Sequence, residues 1–497
     1  MTSPSRDEQL EDLPVEPLLT REYETRRVEM HDRLRRQYGS VAPVGLLGQP
    51  VWLVLDYPQA LSVMTDAALW KKSMTHWRAY TEGRVPKDWP PLPALECDML
   101  VFFDDERHAA ARASLEAALA PFQDLSHPTA RRLEELTREY ADDLITFLAG
   151  GAGGNREGMA DLCGQFARPL PMMVVNQLLG FPVAKGDEVI MDVWRVLDAG
   201  PEAPAAIERL MTDLRELAEE KRARPGDDMP SYLLAHNPEI STEELAWELY
   251  LVMGTTADEV SSLIASSLVE TLRRPRDVPP GMRRAFHQEI INNVVVANPP
   301  MHNLTFRFPV ADTELGDFRI SAGDPVMVSP AAVHNCPHFG AGATRPPFFS
   351  SRDHISFGVG PHRCPAKELA MMIVGTGLER ITARFEEFRL TMPEDQLPWR
   401  SSPFFGGLRI LPVQYRLAVE QPSAVADPRP PERADGGAPA SVPAAGVEVP
   451  APSPGVPAGA EGDAETGREP AGARGPRGRQ SSLWRLMAAL RRKARRG

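Results

Sequence analysis

From Thr242 to Arg274 the chain carries 33 residues of unbroken helical periodicity. Leu245, Leu249, Val252, Leu263, Ile264, Leu268 and Leu272 recur at helical spacing. Ser241-Thr-Glu-Glu244 opens the run as a capping box and Pro275 stops it. At 1.5 Å per residue the predicted helix is about 50 Å long, enough to cross a whole domain. Thr255, Thr256, Asp258 and Glu259 interrupt its apolar middle. Two readings are open: the solvated face of a surface helix, or a central helix that places polar groups in an active site.

The remaining pattern is mostly helical. Glu22 to Tyr38 predicts an amphipathic helix, Val41 to Leu55 a β-hairpin around Gly45, Gly48 and Pro50, and Pro58 to Leu69 a further helix. Trp77 to Leu95, rich in Pro and aromatic residues, reads as a loop. Asp104 to about Arg274 is helical with interruptions, Val310 to Val328 gives short strands, Lys367 to Phe385 a helix, and Phe388 to Leu417 strands. The expected fold class is mainly α with small β-sheets. From Gln421 to Gln480 there is no Leu, Ile, Met, Phe, Tyr or Trp, while Pro, Gly and Ala fill 35 of the 60 positions. Such a segment cannot bury enough apolar surface to offset its ordering entropy. The expected organisation is a flexible N-terminus (1–17), a folded domain (18–420), a disordered linker (421–480) and a basic amphipathic segment (481–497).

Composition removes several classes. Cys97, Cys163, Cys336 and Cys364 are far apart and form no CxxC pair, which argues against a disulfide scaffold, a zinc ribbon or an iron–sulfur cluster. The polar N-terminus has no apolar signal-peptide stretch, and no run of about 18 apolar residues reads as a membrane span. The net charge is −13 although six cations and no acid lie in 481–497, so the body is more acidic still. That balance speaks against nucleic acid as a partner, and a cytoplasmic protein is expected. Gly358-Val-Gly360 lacks the third glycine and the leading strand of a dinucleotide fingerprint, so no nicotinamide, flavin or nucleotide site is expected.

The most specific segment is His354-Ile-Ser-Phe357-Gly358-Val-Gly360-Pro-His362-Arg363-Cys364-Pro-Ala366. A cysteine at the end of a Gly-rich loop, just before a helix, meets backbone N–H groups that favour its thiolate. A thiolate is a metal ligand or a nucleophile; a lone cysteine is also often a small buried hydrophobe. With no Cys, Asp or Glu at cage spacing, a metal here needs a cofactor to supply its other ligands, as haem does.

This loop resembles the haem-binding signature of the cytochrome P450 superfamily at six specified positions: Phe357, Gly358, Gly360, His362, Cys364 and Ala366. The resemblance covers roughly Leu18 to Leu417. It implies haem b with Cys364 as axial ligand of the iron. It places His108 and Arg112 of "DERHAAAR", Arg307 of "NLTFRFP" and His362 on the haem propionates. It implies that Phe357, Gly358 and Gly360 shape the loop under the porphyrin.

Three departures accompany it. The family's Glu-x-x-Arg reads Glu289-Ile-Ile-Asn292, so Glu289 and Arg352 would form a pair where the family has a triad. The family's acid–Thr pair of the central helix is restored neither at Thr256-Ala257 nor at Asp258-Glu259, leaving Asp258, Thr256 and Glu259 as candidates for proton delivery. His334-Asn335-Cys336 stands where Asn-Arg-Asp is usual. Together they resemble an atypical actinobacterial group of cytochromes P450 that occurs beside small GTPase-like signalling proteins.

The first expected function is a haem-thiolate monooxygenase acting on an apolar small molecule, with electrons from a separate ferredoxin and ferredoxin reductase docking near Arg363 and Lys367. Its substrate walls are expected from Trp77–Leu95, Leu251–Asp258, Met301–Leu304 and Phe404–Phe405. The alternative is a haem-binding sensor or scaffold with weak or no monooxygenase activity in a signalling complex. The segment 481–497 places Leu483, Trp484, Met487 and Leu490 on one stripe among six cations. It suits an anionic membrane surface, an acidic partner or the acidic body itself, or else stays a solvated tail.

Overall fold

A computed structural model describes residues 8–151, 156–198, 200–274, 279–339 and 352–419. The linker 421–480 and the basic segment 481–497 lie outside the described residues.

Seven strands build the two sheets that flank the helical core: β1 (Glu16–Pro17), β2 (Val41–Leu46), β3 (Gln49–Val54), β4 (Glu157–Asp161), β5 (Val326–Val328), β6 (Phe385–Leu390) and β7 (Pro412–Leu417). One sheet has the order β1-β2-β3-β5 and a second the order β6-β7-β4. The β2–β3 hairpin forms as expected, with Val41 opposite Val54 and Leu46 opposite Gln49. Its two-residue turn, Leu47-Gly48, has positive φ at both positions, which suits the right-handed twist of the strands and explains the glycine. Within the stretch expected to be flexible, Leu10 and Leu13 are buried and Glu16–Pro17 pairs with Val44–Gly45.

Eight helices make the core around the site: α1 (Tyr57–Thr65), α2 (Asp105–Gln123), α3 (Pro128–Gly151), which packs behind α4 and α8, α4 (Pro169–Leu179), α5 (Thr242–Thr255), α6 (Ser261–Leu272), α7 (Arg283–Ala297) and α8 (Lys367–Arg384). The capping box at Ser241 is made. Its hydroxyl accepts from the Glu244 N–H at 3.1 Å, and Glu244 accepts from the Ser241 N–H at 3.1 Å. The long helix starts where expected and ends at Leu272, but it is not uniform. Thr256–Val260 forms one π-helical turn between α5 and α6. A π turn fits an extra residue into the helix and shifts the phase of everything beyond it.

Two apolar clusters make the core. One gathers α3, α4, α5, α6, α7 and α8; the other lies on the β1-β2-β3-β5 sheet around Trp52, Trp77, Phe306 and Phe308. The Trp77–Leu95 stretch differs from the expected loop. It contains helical turns at Arg78–Thr81 and Leu92–Leu95, and Trp77, Trp89, Leu92 and Leu95 are buried in the second cluster. Trp77 and Trp89 stack edge-on with centroids 5.5 Å apart. Large aromatic faces gain more from burial against each other than from facing solvent, so this stretch is core.

Candidate active site

The Cys364 loop is built by its glycines. Gly358 and Gly360 adopt φ of +70° and +71°. A Cβ at Gly358 would lie 3.1 Å from the His362 carbonyl oxygen, and one at Gly360 would run into the Met64 carbonyl at the end of α1. Only glycine meets both the backbone angle and the close approach. The turn brings the Cys364 N–H to the Phe357 carbonyl at 2.7 Å and leaves Cys364 just before α8.

Above this loop lies an internal cavity of about 280 Å³. Cys364 keeps accessible surface although protein encloses it on nearly every side, because that surface is the cavity floor. The walls are largely aliphatic, including Leu100, Leu115, Val174, Leu178, Val252, Leu263, Val295, Leu304 and Ile373. Of the substrate walls expected from sequence, Leu251, Val252, Met301 and Leu304 line the cavity. The Trp77–Leu95 stretch, Phe404 and Phe405 do not; their rings pack into the sheet-side core instead.

One side of the cavity is cationic. Arg307, Arg112, His108 and His362 line it, as does Lys72, which sequence reasoning missed. Lys72 Nζ donates to the Thr305 hydroxyl at 2.6 Å, and neither Lys72 nor Arg307 has an ion-pair partner among the described residues. Burial pushes the Arg307 guanidinium down to about 10 and pulls the Lys72 ammonium well below its ordinary range, with Arg307 repelling it further. His362 falls to about 2, from burial first and then from Arg307 and Lys72. His108 is lowered by burial and by Arg112. The His108 and His362 rings lie 4.0 Å apart, and the buried His108 Nε2 has no hydrogen-bond partner. Arg112 is partly engaged already, donating to the Arg363 and Pro361 carbonyls and to Glu116 at 2.8 Å.

Buried cations without counter-ions are costly in a protein alone. They fit a ligand that brings its own carboxylates, and haem has two. The donor set therefore fits haem: one sulfur on the floor, cationic groups on one side and aliphatic walls around the rest. The Cys364 thiol gives a matching signal. Burial pushes it up, and Glu259 adds to this in its ionised form, while the Ala366 N–H, Arg112 and Lys367 pull it down. The backbone N–H before α8 favours the thiolate, and burial outweighs it. A metal cation at the sulfur supplies the missing charge.

The polar middle of the central helix divides. Thr256 and Glu259 line the cavity, as does Thr255. Asp258 points elsewhere: it pairs with Arg400 in a separate small recess with Arg168, Trp194 and Ser261. Burial raises its carboxyl and Arg400 opposes the rise. Glu259 is held well above the usual carboxylate range by burial and by the Asp258 charge, and its Oε2 has no hydrogen-bond partner. Burial therefore favours its protonated form where it faces the cavity.

Behind the loop, Glu289 on α7 accepts from Arg352 Nη2 at 2.6 Å. Asn292 is buried one turn further along the same helix. Phe357 lines the cavity, and Lys367 Nζ stands 5.7 Å from its ring centroid.

No protein-family model matches the chain. Among curated proteins it is 28% identical to 2-hydroxy-5-methyl-1-naphthoate 7-hydroxylase of Streptomyces carzinostaticus, over 77% of this chain and 94% of that protein. It is 28% identical to the cytochrome P450 monooxygenase PikC of Streptomyces venezuelae, over 75% and 87% respectively. Among solved structures, CYP154A1 of Streptomyces coelicolor superposes with a TM-score of 0.65 at 27% identity, over 78% of this chain and 97% of that one. CYP154C4 of a Streptomyces species gives 0.66 at 25% identity, over 81% and 98%.

Proposed function

We propose that this chain, which belongs to the cytochrome P450 superfamily, is a monooxygenase that inserts oxygen into a mainly apolar small molecule lying against α4 and the middle of the central helix. The observation that carries this reading is the cavity itself: one sulfur on its floor, unpaired cations on one side and aliphatic walls elsewhere. Haem b, when bound, supplies dioxygen activation and the redox chemistry, with a thiolate ligand favouring O–O cleavage. The residues that would hold it are Cys364 at the iron and Lys72, His108, Arg112, Arg307 and His362 at its carboxylates.

The chain's own residues do the rest. Val174, Val175, Leu178, Leu251 and Val252 bind and orient the substrate by excluding water from its apolar surface. Glu259, whose protonated form burial favours, holds a proton at the cavity wall and releases it inward, with the Thr256 hydroxyl, three residues earlier and on the same cavity, as relay. Asp258, engaged by Arg400, is a positioning charge that adds to burial in raising the Glu259 carboxyl. Electrons come from a separate ferredoxin and its reductase. The exposed Arg363 and the basic Lys367 near the loop suit an acidic ferredoxin. The name of one relative, 2-hydroxy-5-methyl-1-naphthoate 7-hydroxylase, favours an aromatic small molecule as substrate. Small GTPase-like partners rest on the sequence resemblance alone.

The test is spectroscopic and catalytic. Reduced protein with carbon monoxide should show the shifted Soret band of thiolate-ligated haem, and Cys364→Ala should abolish it. A substrate that displaces the resting spectrum should be turned over with surrogate ferredoxin and NADPH. Haem binding with tight substrate binding and no coupled product would favour the sensor reading.

A further inference from the structure

We infer that Asp56, Cys336 and His338 form a second metal site, for a divalent transition-metal ion of zinc's kind. One oxygen, the sulfur and one ring nitrogen of these residues all lie within 4.8 Å of one another. None of the three lines the cavity above Cys364.

The site is assembled by two fixed elements. Asp56 caps α1, its Oδ1 accepting from the Tyr57 N–H at 2.8 Å, which leaves Oδ2 to turn outward. Oδ2 meets His338 Nδ1 at 2.7 Å. On the other side, the Phe339 N–H bonds to the Cys336 carbonyl at 3.2 Å, a tight turn over 336–339. Phe339 packs on Tyr57 with centroids 5.6 Å apart, which pins that turn to the start of α1. Asp56 and Cys336 are buried and His338 is exposed.

The chemistry suits a soft divalent ion. Zinc takes sulfur at about 2.3 Å and nitrogen or oxygen at about 2.0–2.2 Å in a tetrahedron, so its donor atoms stand roughly 3.5 Å apart. Side-chain movement of about 1 Å, which opens the Asp56–His338 contact and draws the sulfur in, reaches that spacing. A carboxylate and a thiolate neutralise a divalent charge, which a half-buried place requires. A thiolate with an imidazole selects zinc, cobalt or copper over magnesium and calcium. Three protein ligands leave a fourth position, and exposed His338 marks the side on which water enters it. On binding, Cys336 gives up its thiol proton and forms the metal–sulfur bond. The His338 Nδ1 proton moves to Nε2, and Nδ1 bonds the metal. One proton is released per ion, so affinity rises with pH.

The experiment uses the full chain loaded with haem. Protein stripped with a chelator, then dialysed against micromolar zinc, is assayed for zinc and iron by elemental analysis. We expect one zinc per haem in the parent and almost none in the variant carrying Cys336→Ser and His338→Ala, with haem content unchanged. Zinc absent from the parent, or retained by the variant, overturns the site. Should that variant fail to fold, His338→Ala alone removes a largely exposed ring and its 2.7 Å contact with Asp56. Competition with a chromophoric chelator should then show zinc affinity lowered at least about tenfold. Unchanged affinity overturns the proposal.

Discussion

Arg352 Nη2 stands 2.6 Å from Glu289 Oε2, yet the two side chains share the solvent unequally: Arg352 is 60% exposed and Glu289 only 5%. Removal of either partner is therefore asymmetric. Arg352→Ala takes away the cation from a buried carboxylate and should cost about 1–3 kcal/mol. Glu289→Gln keeps an acceptor for Arg352 and removes the buried charge, so it should cost less. Chemical denaturation of both variants checks the order.

Glu259 gives a pH signature. Its carboxyl is raised in the folded protein, so the fold binds a proton there that the unfolded chain releases. Stability from this group is complete below the ordinary glutamate range, near pH 4, and declines as pH rises from there toward the folded value. Glu259→Gln should flatten that decline and leave neutral-pH stability equal or higher, while coupled product formation falls about 10²-fold or more. Denaturation across pH with turnover assays separates the two effects.

Lys72 should separate haem retention from stability of the haem-free protein. Its lowered ammonium costs the fold increasingly as pH falls below the ordinary lysine range, near 10.4. Lys72→Met removes a buried cation and keeps the length of the stem. The haem-free variant should melt higher than the parent, and haem should leave the loaded variant faster. Haem transfer to apomyoglobin measures the rate.

Gly360→Ala should be worse than an ordinary glycine replacement. The new methyl meets both a positive φ and the Met64 carbonyl. A cost of about 1–2 kcal/mol for the backbone angle alone is expected, with the clash added to it. Melting temperature and haem content should fall together.

The loop from His354 to Ala366 was readable because its glycines and cysteine are spaced by local backbone geometry. His108, Arg112 and Arg307 followed from short motifs, and all three reach the cavity. Lys72 had no such signal. It joins Arg307, 235 residues away in the chain, only through the tertiary fold, and "WKKS" resembles any solvated strand end. The Trp77–Leu95 stretch misled because proline-rich local chemistry says turn, whereas burial of Trp77 and Trp89 depends on Phe306 from far along the chain. The π turn was invisible because its dihedrals stay helical: Thr255 and Ser261 on either side are ordinary right-handed helix.

That turn makes the central helix a two-part register. Everything before Thr256 and everything after Val260 keeps its own angular setting. Asp258 and Glu259 sit at the joint and face different compartments. Loss of one residue inside the joint would close the wide turn to an ordinary one, leaving the two halves near their present setting and redistributing the side chains of the joint between the compartments. A single-codon deletion there works as a selector of which side chain meets the substrate, so chemistry at this wall can change while every flanking residue stays the same.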